Sequence, residues 1–491
     1  MTTSSRSLKL KQTSTALLLV LSLAACEVGP DYAPPPETTP VGWNANASDA
    51  PQGQIDQTWW DHFHDPVLTK LIARATTGNF DIKIAEARIA QARAGVSSAA
   101  AALLPQGDVK GTATREANQI AMPGGSANSF APLLHKPFNI YETGFDASWE
   151  LDLFGGNRRA EEAATAQLQA SEASRADVMV SLRAEVARTY VQIRQYQTQI
   201  ALARKTVAAD AKTLSLTRQR FAAGEAPRLD VTQAEAALEQ ARQRLPTLRN
   251  ALGQAEYSLD VLLGAQPGTA HGIVATPAPI PVAGKALVLA TPAAVIANRP
   301  DIRVAERKLA AATAQQGEAL AKFFPDISLN GFFGALNTST EKLITGSSES
   351  WMAGGSVLWP ILSYNSLSAN LHNANAQQQE AMATYQKTVL SALADVEKSL
   401  TAYDEQQQFL AATKAETGKD ADARRIASDR YKAGVTSLLD VLDAERTLYA
   451  AQDQQAKARS DEAQDLIALY KSLGGGWATS QPGTGATVKK D

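Results

Sequence analysis

The sequence predicts a mainly α-helical chain, internally duplicated, in which each copy also carries a pair of membrane-type β-strands. Three observations carry that reading. Long runs contain almost no Gly or Pro, one residue pattern recurs at a near-constant displacement, and two nine-residue segments are bracketed by aromatic residues, one of them in strict polar alternation. Across 491 residues the hydrophobic share is 44% but the aromatic share only 6%, with much of the rest alanine, which suits slender helices better than a thick core. Lys+Arg 47 against Asp+Glu 50 leaves a net charge of -3, without the basic excess of a nucleic-acid binder.

The function classes narrow in the same way. A single cysteine excludes a disulfide framework and any cysteine-ligated metal centre within one chain. No phosphate-binding Gly-Lys-Ser/Thr loop, dinucleotide fingerprint, nucleophile elbow or HExxH motif is present, so the chain reads as no enzyme, with no cofactor. His62 and His64 form the one close histidine pair and lack a third ligand, so they read as a polar loop with no metal.

The N-terminus holds Arg6, Lys9 and Lys11, then an apolar run from Ala16 to Ala25, then Cys26: a secretory signal too short to span a bilayer. Leu23-Ala24-Ala25-Cys26 matches a bacterial lipobox, making residues 1–25 a signal peptide and Cys26 the lipidated first residue of the mature chain. The proline-rich stretch that follows, to residue 58, reads as an extended tether. From residue 478 the Gly, Ser, Thr and Lys composition reads as a loose tail.

The duplication fixes the plan. Asp81-Ile82-Lys83-Ile84-Ala85-Glu86 recurs as Asp301-Ile302-Arg303-Val304-Ala305-Glu306, displaced by 220. Further along the displacement is 210, pairing Phe221-Ala222-Ala223-Gly224 with Tyr431-Lys432-Ala433-Gly434 and Leu229-Asp230-Val231 with Leu439-Asp440-Val441. The ten missing residues belong to a loop around Pro123, Gly124, Gly125 and Pro132. The copies read as residues 59–264 and 298–473, joined by a connecting segment over 265–297. Each runs helix, strand, loop, strand, long helix, glycine turn, return helix.

Asn157 to Ala223 contains neither Gly nor Pro, which predicts roughly 100 Å of continuous helix. Its counterpart over 365–433 contains only Gly418, a point where a bend is expected. The glycine turns at Gly224 and Gly434 lead to return helices over 228–263 and 437–473, the first carrying Pro246, which should kink it. Val180, Ala184, Ala187 and Val191 follow a coiled-coil-like spacing, so an extended rod without a channel is an open alternative from the helices alone.

The strands oppose that alternative. Tyr141, Thr143, Phe145, Ala147, Trp149 and Leu151 alternate with residues that include Glu142, Asp146, Glu150 and Asp152, which confines the acids to one face. Strands are expected at about 109–115, 141–152, 327–335 and 351–359. Tyr141 and Trp149, and likewise Trp351 and Trp359, bracket lengths that suit membrane strands with interfacial aromatics. Four strands cannot close a barrel in lipid, because an open edge leaves backbone groups unpaired at several kcal/mol each, so the chain must oligomerise. Three copies would give twelve strands, enough to leave a pore.

These residues and their order resemble the outer-membrane efflux proteins of the TolC superfamily, in the lipoprotein branch typified by OprM and NodT. The matching motifs include Cys26-Glu27-Val28-Gly29-Pro30-Asp31-Tyr32, Asp152-Leu153-Phe154-Gly155-Gly156, Asn298-Arg299-Pro300-Asp301, Phe323-Phe324-Pro325, Arg430-Tyr431 and the segment ending Gly474-Gly475-Gly476-Trp477. One departure is Pro360-Ile361-Leu362-Ser363-Tyr364, where the family has an aspartate and paired glycines. The resemblance implies a homotrimer whose twelve-stranded outer-membrane barrel continues into a periplasmic helical tunnel, with a mixed α/β girdle at mid-height. It implies three partners besides outer-membrane lipid: further copies of the chain, a periplasmic adaptor, and an inner-membrane resistance-nodulation-division pump. Type I protein secretion is the alternative within the channel class. A coiled-coil adaptor or scaffold lipoprotein is the alternative outside it.

A gate follows from the same resemblance. Asp440 and Asp443 are three apart on one helix face and fall at the family's acidic constriction, where crowding would raise some carboxyl pKa values. Leu439 matches an apolar closing residue, Arg430 and Tyr431 match positions whose contacts hold the tip shut, and the turns at Gly224 and Gly434 are the expected adaptor contact. The plainer reading is that acids in a helix's first turns complement its dipole.

Overall fold

A computed structural model of the chain describes residues 27–36, 39–44, 53, 56–117, 137–283 and 289–477. Cys26 and the signal segment before it lie outside the described residues, as do the loop holding Pro123 to Pro132 and the tail from 478. The helices among the described residues are α1 (Pro66–Gly78), α2 (Phe80–Ala101), α3 (Gly156–Ala222), α4 (Arg228–Leu262), α5 (Thr269–Val274), α6 (Pro292–Asn298), α7 (Pro300–Ala321), α8 (Tyr364–Lys432) and α9 (Leu438–Ser472). The strands are β1 (Gln106–Glu116), β2 (Phe138–Leu151), β3 (Asp326–Asn337) and β4 (Glu349–Leu358). α8 runs through Gly418 and α4 through Pro246; an interior glycine costs about 1 kcal/mol and a proline about 3 kcal/mol, which the rest of a helix of 69 or 35 residues outweighs. The chain divides into two compact units, one of residues 1–35, 89–170 and 305–384, the other of 36–88, 171–304 and 385–491.

The first unit is built on one antiparallel sheet in the order β1-β2-β3-β4, which leaves β1 and β4 as edges. The register places Val109 opposite Phe145, Phe145 opposite Phe333, and Phe333 opposite Trp351. Because side chains alternate, these residues share one face with Tyr141, Trp149, Leu329 and Val357. The other face carries Lys110, placed 3.9 Å from Glu142 and 4.0 Å from Asp146, and the paired hydroxyls of Ser328 and Ser356 at 2.7 Å. Phe332, Leu336, Met352 and Leu358 are apolar residues on that otherwise polar face, and Phe332 has a packing role there. Its ring covers Gly144 and Gly334, whose backbones approach so closely that a Cβ on Gly144 would sit 2.7 Å from the Gly334 Cα. The two copies repeat one detail: the Trp149 indole donates to the Leu103 carbonyl at 3.0 Å, and the Trp359 indole to the Phe323 carbonyl at 3.1 Å.

The two strand-to-helix corners differ as their sequences do. In the first copy the Asp152 carboxylate accepts from the N–H groups of Asn157 and Arg158, capping α3. The second copy has no such acid, and a single 3₁₀ turn over Ile361–Ser363 leads into α8 instead.

The start of the expected tether is docked. Arg159, 3% exposed, reaches the carboxylates of Glu27, Asp31 and Glu162 at 3.1, 2.8 and 2.7 Å and the carbonyls of Val28 and Gly29. The Val28 N–H donates to the Phe154 carbonyl, and the Tyr32 hydroxyl to Glu306 at 2.6 Å. Gly29, at φ +101°, lies against Gly317, where a Cβ would come within 2.5 Å of backbone. Proline-rich composition keeps this stretch out of helix and strand, but buried charge fixes it in place.

The second unit packs around Trp59, stacked on Tyr470 at 5.5 Å, with Leu68, Leu71, Ile193 and Leu259 fully buried beside it. Asp65 caps α1 through the N–H groups of Val67 and Leu68, and also accepts from the Tyr190 hydroxyl. Arg299 chelates Asp301 and donates to the Ser472 carbonyl, while the Trp477 indole donates to the Asn298 carbonyl. The segment expected as a girdle contributes α5 and α6, and its extended part bonds Gly53 N–H to the Leu289 carbonyl.

Candidate functional site

The candidate site is the end of the second unit where each long helix reverses. Gly224 at φ +78° and Gly434 at φ +76° occupy the left-handed region that glycine enters without a Cβ penalty. In both turns the glycine N–H returns to the carbonyl three residues back, and the next N–H to the carbonyl five back: Glu225 to Arg220, and Val435 to Arg430. These bonds close the last carbonyls of α3 and α8 and send the chain into α4 and α9.

Tyr431 lies inside this tip. Only 4% exposed, it packs with Leu214, Leu238, Leu438 and Val441. The Arg220 guanidinium sits 4.7 Å from its ring centroid and donates to its carbonyl at 2.6 Å. Among the described residues its hydroxyl reaches only the Thr217 hydroxyl, at 3.5 Å. Arg430 is exposed, and its backbone carbonyl closes the turn.

The two acids act differently. Asp440 accepts from the Thr436 hydroxyl and from both the hydroxyl and the N–H of Ser437, so it caps the start of α9. Asp443 pairs with Arg446 at 2.7 Å on the exposed surface. Crowded carboxylates would rise in pKa, yet within one chain Asp440 is held below its ordinary value. The donors on Thr436 and Ser437 are the main cause, and Arg430 adds a smaller attraction. Leu439, 57% exposed, lines a groove of about 940 Å³ with Leu442, Gln233, Gln240, Arg446 and Tyr449.

Sequence reasoning missed a partly buried cluster behind the tip core. Asp210 on α3, Arg424 on α8, and Glu445 and Tyr449 on α9 meet there, and the groove reaches Asp210, Glu445 and Tyr449. Burial, with Glu445 adding to it, pushes the Asp210 carboxyl up to about 6, and the same causes raise the Tyr449 phenol. Only the helical spacing of Glu445, one turn beyond Val441, hinted at its inward direction.

Of the four interface aromatics, Tyr141, Trp149 and Trp351 lie on the apolar sheet face, and Trp359 follows the end of β4. No described helix is long and apolar enough to cross a membrane.

The outer membrane efflux protein family profile matches residues 71–265 and 291–475. The pyoverdine export outer membrane protein OpmQ of Pseudomonas putida is 33% identical over 473 residues, covering 95% of this chain and 98% of that protein. The toluene efflux pump outer membrane protein TtgF of Pseudomonas putida is 31% identical, covering 95% and 98%. Among solved structures, the outer-membrane channel OprN superposes with a TM-score of 0.85 at 33% identity, covering 92% of this chain and all of that one.

Proposed function

Because this chain belongs to the outer membrane efflux protein family, we propose that it is the passive exit channel of a tripartite efflux system in the outer membrane. Three copies close a twelve-stranded barrel, and their helices form a periplasmic tunnel. The tunnel receives substrate from a resistance-nodulation-division pump through a periplasmic adaptor. The observation that carries this reading is the sheet. Four strands present one apolar face and end in two unpaired edges, β1 and β4, which lipid does not tolerate and further copies would pair. Lipidation of Cys26 would add an anchor beside the barrel. No group in the chain is assigned chemistry of its own.

In this reading the glycine turns at Gly224 and Gly434 form the adaptor-facing tip, and Asp440, Asp443 and Leu439 from three copies ring its opening. Opening is an outward swing of the helix pairs, a rearrangement of packed helices rather than of single side chains. Pyoverdine and toluene are chemically unlike, yet relatives named for each share similar identity with this chain. That supports assigning cargo choice to the pump.

Single-channel recording in planar bilayers tests the proposal. Small, cation-selective openings are expected, and Asp440→Ala with Asp443→Ala should reduce both the selectivity and the block by multivalent cations. Insertion without current, or selectivity unaffected by the double variant, would contradict the channel and the acidic ring respectively.

A further inference from the structure

The channel reading leaves the buried charges behind the tip without a role. Glu445 is 2% exposed and Asp210 7% exposed. Glu445 Oε1 accepts from Arg424 Nε at 3.2 Å and Nη2 at 2.9 Å, and from the Thr213 hydroxyl at 3.5 Å. Its Oε2 is buried and has no hydrogen-bond partner among the described residues. Among the described residues Asp210 has one weak donor, the Tyr449 hydroxyl at 3.4 Å. Two buried carboxylates therefore face one guanidinium. Charged groups nearby do not repair the imbalance. Arg244 of α4 is engaged by Asp453 at 2.5 Å and Arg446 of α9 by Asp443 at 2.7 Å, while Gln233 and Gln240 of α4 carry no charge. The groups that act on Asp210 are Glu445 and Tyr449 from α9 and Arg424 from α8.

The cluster also sits where movement would have to occur. Asp210 and Thr213 belong to the first copy's long helix, whereas Arg424, Glu445 and Tyr449 belong to the second copy's helix pair. Asp210 is one turn from Leu214 and Glu445 one turn from Val441, both in the core that seats Tyr431. Anything that weakens the cluster weakens the contact between α3 and the α8–α9 pair.

We propose that Asp210 in its protonated form joins Glu445 and Arg424 in a proton-operated latch, which holds α3 against α8 and α9 in the closed tip and loosens when that proton leaves. With one proton the cluster is neutral; without it, an uncompensated negative charge is buried between helices. The latch rests on the tip being the channel's gate.

The direction follows from linkage. The Asp210 carboxyl is raised to about 6 in the packed tip. Packing therefore gains its full stabilisation below the ordinary carboxylate value near 4 and loses it as pH climbs through about 6. A carboxyl moved from near 4 to about 6 changes the ratio of closed to open tips roughly a hundredfold across that window. Asp440, held low, stays ionised through that window and does not supply the effect.

The test uses the full-length protein with a spin label at Ala433→Cys, read as label separation and, in parallel, as bilayer current between pH 4.5 and 7.5. Expected are a wider tip and larger current with a midpoint near pH 6. Asp210→Asn and, independently, Glu445→Gln should each hold the low-pH form to pH 7.5. A wild-type tip that does not respond to pH, or variants that keep the wild-type midpoint, would overturn the latch. Label movement with a midpoint near pH 6 but no current at any pH would instead overturn the channel reading and the latch's role as a gate, while the proton-operated movement itself would be upheld.

Discussion

Tyr431 offers a direct way to ask what keeps the tip packed. Its hydroxyl contact with Thr217, at 3.5 Å, is at the outer limit of a hydrogen bond. Its ring is buried among Leu214, Leu238, Leu438 and Val441 beneath the Arg220 guanidinium. Tyr431→Phe should therefore cost little, about 0.5 kcal/mol or less, because it removes only the weak contact. Tyr431→Ala removes the ring. Truncating a buried aromatic costs about 3–5 kcal/mol, including the cation–π contact. The Arg220 bond to the Tyr431 carbonyl survives either change, since it involves only backbone on that side. If half of the loss falls on the closed tip alone, about 2 kcal/mol shifts the closed-to-open ratio roughly 30-fold. Single-channel open probability and amide exchange in α9 both read this shift. Equal effects of the Phe and Ala variants would refute ring packing and point to the hydroxyl instead.

Three further changes probe the turns and the docked start of the tether. Gly434→Ala places its Cβ 3.7 Å from Arg220, an ordinary contact, so the cost is the left-handed backbone alone, about 1–2 kcal/mol; Gly224→Ala, with nothing within 4 Å, should match it in thermal unfolding. Arg159→Ala leaves Asp31 and Glu162 free to rehydrate, with side chains 92% and 41% exposed. The loss should therefore be local, about 1–3 kcal/mol, and appear as faster amide exchange at Val28 while the sheet stays protected. Unchanged exchange at Val28 would show that Arg159 does not hold the start of the tether.

The legible parts of the fold were those that local chemistry dictates. A run without Gly or Pro from Asn157 to Ala223 spelled out a helix now seen over Gly156–Ala222, and the acids at alternate positions in β2 marked the polar face that the register shows. Gly224 and Gly434 stood out because a sharp reversal after a long helix calls for a positive φ. Interactions between residues far apart in sequence were not legible. Arg159 and Glu27, or Asp210 and Glu445, meet only once the chain has folded, and apart from the helical spacing of Glu445 nothing local distinguishes them from surface charges. The position of Asp440 puts it in the first turn of α9, but its spacing could not reveal that Thr436 and Ser437 would occupy its carboxylate.

The central claim is that the sheet is one third of a barrel closed between copies. It is tested most directly by cysteine pairs scanned along the two edges, Val109 to Ala113 on β1 and Trp351 to Gly355 on β4, and oxidised in outer-membrane vesicles. Covalent species of three copies at a matching register are the expected result. Cross-links that stop at two copies, or none at any register, would contradict the barrel and with it the exit channel.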